Sequence, residues 1–154
     1  MRDFIEQENL TIHSKYEKYI GDVKQTSGIY AITVNEWVGY VGKSVKMRRR
    51  VRNHIRYASK NYDRAKYGLL SEILKMEDKY QVKCVMLKEC PIEELGQREK
   101  AIIKMYEVLP LNTHLSHSPA PKSMKFEEFI LELKNCRKLS EVHQELANQV
   151  QNTL

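Results

Sequence analysis

The sequence predicts an α+β fold, with three short strands set among helices, and three observations carry that prediction. Two β-branched runs, residues 29–34 and 37–41, flank the polar pair Asn35-Glu36, which reads as a hairpin. Residues 81–88 (QVKCVMLK) alternate with period two and supply a third strand. Elsewhere apolar residues recur at helical spacing, over residues 45–58, 64–79 and 91–109. With 154 residues the chain suits one domain with a short appendage and can bury a real core.

The elements follow in order. Residues 1–25 read as mostly helical and amphipathic, with Phe4, Ile5, Tyr16, Tyr19 and Ile20 as packing residues. After the hairpin, the helix over 45–58 carries five arginines in nine residues (Arg48, Arg49, Arg50, Arg52, Arg56). Leu69, Leu70, Ile73, Leu74 and Met76 mark the next helix. Pro91 suits the first turn of the helix over 91–109, and Pro110 stops it. The Pro- and Ser-rich stretch 114–123 reads as a linker, and residues 126–136 and 140–150 as two short amphipathic helices. The expected divisions are 1–26 as an N-terminal helical extension, 27–115 as the core, 116–123 as linker and 124–154 as a C-terminal helical hairpin.

Composition narrows the function only a little. A formal charge of +6 leans toward a polyanionic partner. No apolar run approaches the roughly 18 residues that span a bilayer, and the N-terminus lacks an apolar signal core. A cytoplasmic protein with no membrane partner is expected. Cys84, Cys90 and Cys136 have no metal-ligand spacing and read as reduced thiols. Gly42-Lys43-Ser44 resembles the end of a phosphate-binding loop, but that motif needs a glycine five residues before Gly42, where Trp37 stands.

The hairpin poses a question of parity. A two-residue turn at Asn35-Glu36 pairs Val34 with Trp37 and places Tyr40 opposite Ala31, on the face away from Tyr30. An odd connection, or a bulge at Gly39, brings the two phenols onto one face. One of these irregularities is predicted.

On a helical wheel Met47, Val51, Ile55 and Ala58 form a buried stripe, and Arg48, Arg52 and Arg56 a row on the solvent side. That row serves either as a solvated face or as phosphate contacts. Arg50 and His54, four apart on the other flank, must meet water, a carboxylate or a ligand. In the late helix Glu99 falls within the stripe of Leu95, Ile102, Ile103 and Tyr106. A carboxylate there needs an internal arginine or a divalent cation to offset its desolvation.

Together these residues resemble the GIY-YIG nuclease family. The name-giving triplets stand as Gly28-Ile29-Tyr30 and Tyr40-Val41-Gly42, followed by Arg50, His54, Glu99 and Asn112 in the family's order. The resemblance covers about residues 27–115. Two departures are a short connection between the tyrosines and Lys43, where many members carry Ser or Thr. The resemblance implies a small three-stranded, mainly antiparallel sheet flanked by helices, with the C-terminal helices as a short appendage.

It also implies a DNA endonuclease that hydrolyses phosphodiester bonds with one metal ion, Mg²⁺ or Mn²⁺, held by Glu99. Arg50 is then expected to bind the scissile phosphate. Tyr30 or Tyr40 activates the water, tuned by His54 and Lys43, and Asn112 ties the late helix to the sheet. Lys46, Arg48, Arg49, Arg52 and Arg56 are the DNA-binding candidates. The alternative is a non-catalytic nucleic-acid-binding module using the basic helix. Double-stranded, single-stranded and branched DNA all remain open as substrate, as do monomer and homodimer. So do homing, restriction and phage-type roles.

Overall fold

The computed structural model describes residues 16–60, 64–106, 109–112 and 125–152. Phe4, Ile5 and the expected linker at 116–123 lie outside them. Strands β1 (Gly28–Val34), β2 (Trp37–Ser44) and β3 (Val82–Glu89) form one antiparallel sheet in the order β2-β1-β3. Helices α1 (Met47–Lys60) and α2 (Arg64–Leu74) lie between β2 and β3 in sequence. Helix α3 (Leu95–Ile103) follows a 3₁₀ turn at Ile92–Glu94, and α4 (Phe126–Lys134) and α5 (Leu139–Asn152) close the chain. This is the expected α+β fold, a small sheet flanked by helices.

Every residue of β1 is buried, because both faces of the central strand are covered. On one face Tyr30, Ile32, Val34 and Tyr40 join Met47, Val51, Ile55, Ala58, Leu70 and Ile73. On the other, Ile29, Ala31, Val38 and Val41 meet Leu95, Ile102 and Tyr106. The C-terminal helices serve both layers. Phe129 and Leu133 are buried in the first core, and Val142 in the second.

The hairpin has a two-residue turn, with Val34 opposite Trp37, and both turn residues are left-handed: Asn35 at φ 49° and Glu36 at φ 73°. That is the backbone a type I′ turn requires. Asn35 suits it twice over. Its side chain donates to the Lys79 carbonyl and accepts from the Gln81 amide, anchoring the turn to the approach of β3.

Several helices differ in length from the periodicity. Helix α2 stops at Leu74 because the chain tightens there, the Met76 amide reaching back only to the Ile73 carbonyl. Helix α3 ends at Ile103, well short of Pro110, again through short i→i−3 bonds at Met105 and Tyr106. The Met105 carbonyl freed by this ending accepts from Arg137 at 3.2 Å. Periodicity continued past both ends because the following apolar residues still pack, without being helical.

Candidate active site

The parity question resolves through a bulge. Ile32 pairs with Tyr40 but Thr33 with Val38, so Gly39 is the extra residue on β2. The insertion turns Tyr40 onto the face of Tyr30 and leaves Val38 on the opposite one. The two phenol rings stand with centroids 5.9 Å apart. Gly42 is their floor: a β-carbon there would come within 2.8 Å of the Tyr30 hydroxyl and 2.7 Å of the Tyr40 ring.

Helix α1 brings two more groups to this cluster. His54 is buried, not flanking, with Nε2 hydrogen bonded to the Tyr30 hydroxyl at 2.9 Å and its ring 5.2 Å from that of Tyr40. Four residues earlier, Arg50 is exposed, yet its guanidinium turns to the Tyr30 hydroxyl and interacts with Tyr40 and Tyr67. The spacing of one helical turn puts cation and imidazole side by side. Burial pushes His54 down to about 3, and the Arg50 charge adds to it, so the imidazole is neutral at ordinary pH. Burial also pushes the Tyr30 phenol well above its ordinary range, reinforced by Tyr40 and opposed by Arg50.

A second group lies on the other face of β2. Lys43, next to Gly42 in the chain, has the parity of Val41 and faces α3. Its ammonium stands 3.9 Å from a Glu99 carboxylate oxygen. Glu99 is neither enclosed nor turned out: its side chain is 22% exposed, at the rim of the apolar stripe. The wheel angle placed it within that stripe, and in the fold its carboxylate reaches the edge beside Lys43.

The 3.9 Å ion pair is too long for a hydrogen bond and leaves the carboxylate lone pairs open to a cation. Among the described residues no three His, Cys, Asp or Glu side chains converge. A cation here would therefore rest on Glu99 together with oxygens from substrate and water, a coordination magnesium commonly takes. The donor set fits.

Asn112 holds the strand that carries both groups. Its side chain accepts from the Val41 amide at 2.8 Å and donates to the Val41 carbonyl at 2.7 Å. β2 is an edge strand, and this amide satisfies the outward backbone groups that another strand would have taken.

Against this geometry stands a sequence pattern. A family model, the GIY-YIG catalytic domain, matches residues 26–113, more than half of the chain. The chain belongs to the GIY-YIG nuclease family. It is a nuclease, a phosphodiester hydrolase acting on nucleic acid. No curated protein and no solved structure is significantly similar to it.

The basic residues of this nuclease divide in an unexpected way. Arg48 donates to the Gly21 and Val23 carbonyls and to Glu17, and Arg52 donates to Glu17 at 3.3 Å. These two arginines therefore pin the segment before β1 onto α1. Burial works against ionised Glu17, but the two guanidiniums outweigh it and hold its carboxyl below the ordinary range. Lys46 and Arg49 are exposed, and Arg56 is half-buried with its guanidinium over the Tyr57 ring. A groove of about 400 Å³ between residues 18–23 and β3 is lined by neither the phenol cluster nor Glu99.

One residue escaped the sequence reading. Tyr67, on α2, has its hydroxyl 3.1 Å from His54 Nδ1. Three residues before Leu70, it reads as an ordinary core aromatic, and only the distance to His54 marks it.

No helix of the described residues is long and apolar enough to cross a membrane.

Proposed function

We propose that this nuclease is a divalent-metal-dependent DNA endonuclease that cleaves by water attack assisted by a tyrosine. The observation that carries the reading is the strand pair Gly42-Lys43. On one side it bears the cluster of Tyr30, Tyr40, Arg50 and His54, and on the other the Lys43–Glu99 pair. A phosphodiester laid across the end of β2 would meet both.

Arg50 is the residue for the scissile phosphate, since a guanidinium offers two parallel donors and remains exposed here. Tyr40 is the phenol assigned to the water. It keeps 4% exposure while Tyr30 has none, and Tyr30 is the phenol that burial pushes far above neutrality. In this reading Tyr30 stays protonated behind Tyr40 and stabilises the negative charge that Tyr40 takes on. Glu99 would hold a Mg²⁺ or Mn²⁺ ion, which when bound stabilises the charge growing on phosphorus and on the leaving oxygen. Lys43 adds positive charge beside Glu99, where the phosphate oxygens would gather. Lys46 and Arg49, exposed at the start of α1, are the outer contacts proposed for the DNA backbone, with Arg56 further along. Asn112 acts at one remove, by fixing β2.

The test is incubation with Mg²⁺ or Mn²⁺ and labelled single-stranded, duplex and forked DNA, with the ends mapped. Cleavage by the parent protein and its loss in Glu99→Gln and Tyr40→Phe are expected. Equal cutting by parent and Glu99→Gln would overturn the metal role, and full activity in Tyr40→Phe the tyrosine role.

A further inference from the structure

We propose that Tyr67 is a positioning residue of the nuclease site, its hydroxyl donating to His54 Nδ1 and so making His54 Nε2–H a donor to Tyr30. The inference rests on the reading of Tyr40 as the phenol that meets water, and extends it to a side chain with no contact to substrate.

The argument begins with His54. The ring is wholly enclosed between two phenols, with Tyr30 at 2.9 Å from Nε2 and Tyr67 at 3.1 Å from Nδ1. A neutral imidazole has one N–H and one bare nitrogen, so its two hydrogen bonds must run in the same direction along the chain. Either Tyr67 donates and His54 passes a donor on to Tyr30, or Tyr30 donates and the whole row points to Tyr67.

Arg50 helps decide. It is donor only, and it faces the Tyr30 oxygen. With Nε2–H donating to that oxygen beside the Arg50 charge, the Tyr30 O–H is left to point at Tyr40, its neighbour in the cluster. Every donor in the row Tyr67, His54, Tyr30 then aims toward Tyr40, the phenol assigned to the water. Such aligned hydrogen bonds polarise one another, and they stabilise an anion at the end of the row. In the reverse direction the Tyr30 O–H donates to His54 Nε2, and Tyr40 meets only the Tyr30 oxygen.

Tyr67 is placed for this by α2, which packs on α1 through the first core. The ring of Tyr57 meets it edge-on, at 5.8 Å between centroids, and limits its rotation. The Tyr67 hydroxyl stands on the Nδ1 side of His54, with the imidazole between it and Tyr30, which separates positioning from catalysis.

The experiment reads the His54 tautomer directly, by long-range ¹⁵N–¹H NMR of the imidazole in the full chain without substrate. Protonated Nε2 and bare Nδ1 are expected, with the Nδ1 resonance moving in Tyr67→Phe as its donor is lost. The second arm is steady-state cleavage. Tyr67→Phe is expected to lower kcat by on the order of tenfold with KM unchanged. A protonated Nδ1 in the parent protein overturns the proposal, and so does parental kcat in a folded Tyr67→Phe. The tautomer is measured without turnover, so an inactive parent or an active Tyr40→Phe would strike only the proposed function.

Discussion

Gly42 lies opposite Tyr30 across the β1–β2 ladder, and the missing side chain at Gly42 is the space the Tyr30 hydroxyl occupies. The glycine of the Tyr40-Val41-Gly42 triplet is thus a packing requirement of the phenol cluster.

Gly42→Ala should therefore disturb the site more than its one methyl suggests. The added carbon would sit 2.7 Å from the Tyr40 ring and 2.8 Å from the Tyr30 hydroxyl, and both rings are enclosed. Overpacking of this kind costs about 1–3 kcal/mol. Urea unfolding should show that loss, and cleavage should drop with it. A variant as stable as the parent would mean that the rings move aside freely.

Asn112→Asp separates the amide's two bonds. The carboxylate can still accept from the Val41 amide but would face the Val41 carbonyl with a second oxygen where a donor now stands. A loss of about 1–3 kcal/mol is expected, with Asn112→Ala in the same range. Hydrogen exchange at the Val41 amide is the local readout, and it should accelerate in Asn112→Ala.

The arginines of α1 should fall into two classes. Arg49→Ala should reduce the slope of log affinity against log salt by about 0.9 for duplex DNA, leaving thermal stability unchanged. Arg48→Ala removes donors to Glu17, Gly21 and Val23 and should cost about 1–3 kcal/mol of stability. Salt titrations and melting curves on the same two proteins check both halves.

His54 makes the fold sensitive to mild acid. Its folded pKa of about 3 lies below the unfolded value of about 6.5, so below pH 6.5 the unfolded chain binds a proton that the folded protein refuses. Stability should fall as pH drops from 6.5 toward 3, by on the order of 3 kcal/mol at pH 4. Above pH 6.5 this contribution is flat. In His54→Gln the slope of stability between pH 6.5 and 4 should shrink, and an unchanged slope would place the acid sensitivity elsewhere.

Local pattern carried much of the architecture. The stripe of Met47, Val51, Ile55 and Ala58 is buried as its spacing requires, and Tyr16 and Ile20 are buried too. The hairpin turn stands at Asn35-Glu36. Gly39 was readable as one of two ways to bring the tyrosines together, because a bulge and an odd turn change parity alike. Only the pairing of Thr33 with Val38 separates them.

The wheel placed Arg48 and Arg52 in a solvent-side row, where the fold instead pairs both with Glu17. Angle reports the face of a helix, whereas the fate of a cation depends on which distant carboxylate and carbonyls fold against it. Glu17, Gly21 and Val23 come from a segment more than twenty residues away. His54 was placed at the flank for the same reason: α2 covers that side, and α2 is invisible to the periodicity of α1.

By itself, then, the sequence determined the strands, the helical stripes and the order of the family residues, because each depends on backbone periods of two or 3.6 and on fixed spacings. The tertiary structure decided which face Tyr40 takes, how deep His54 lies, how far Glu99 opens and what stands behind the histidine. Those outcomes depend on a single inserted residue and on which non-neighbouring elements fill the space, and no local period encodes either.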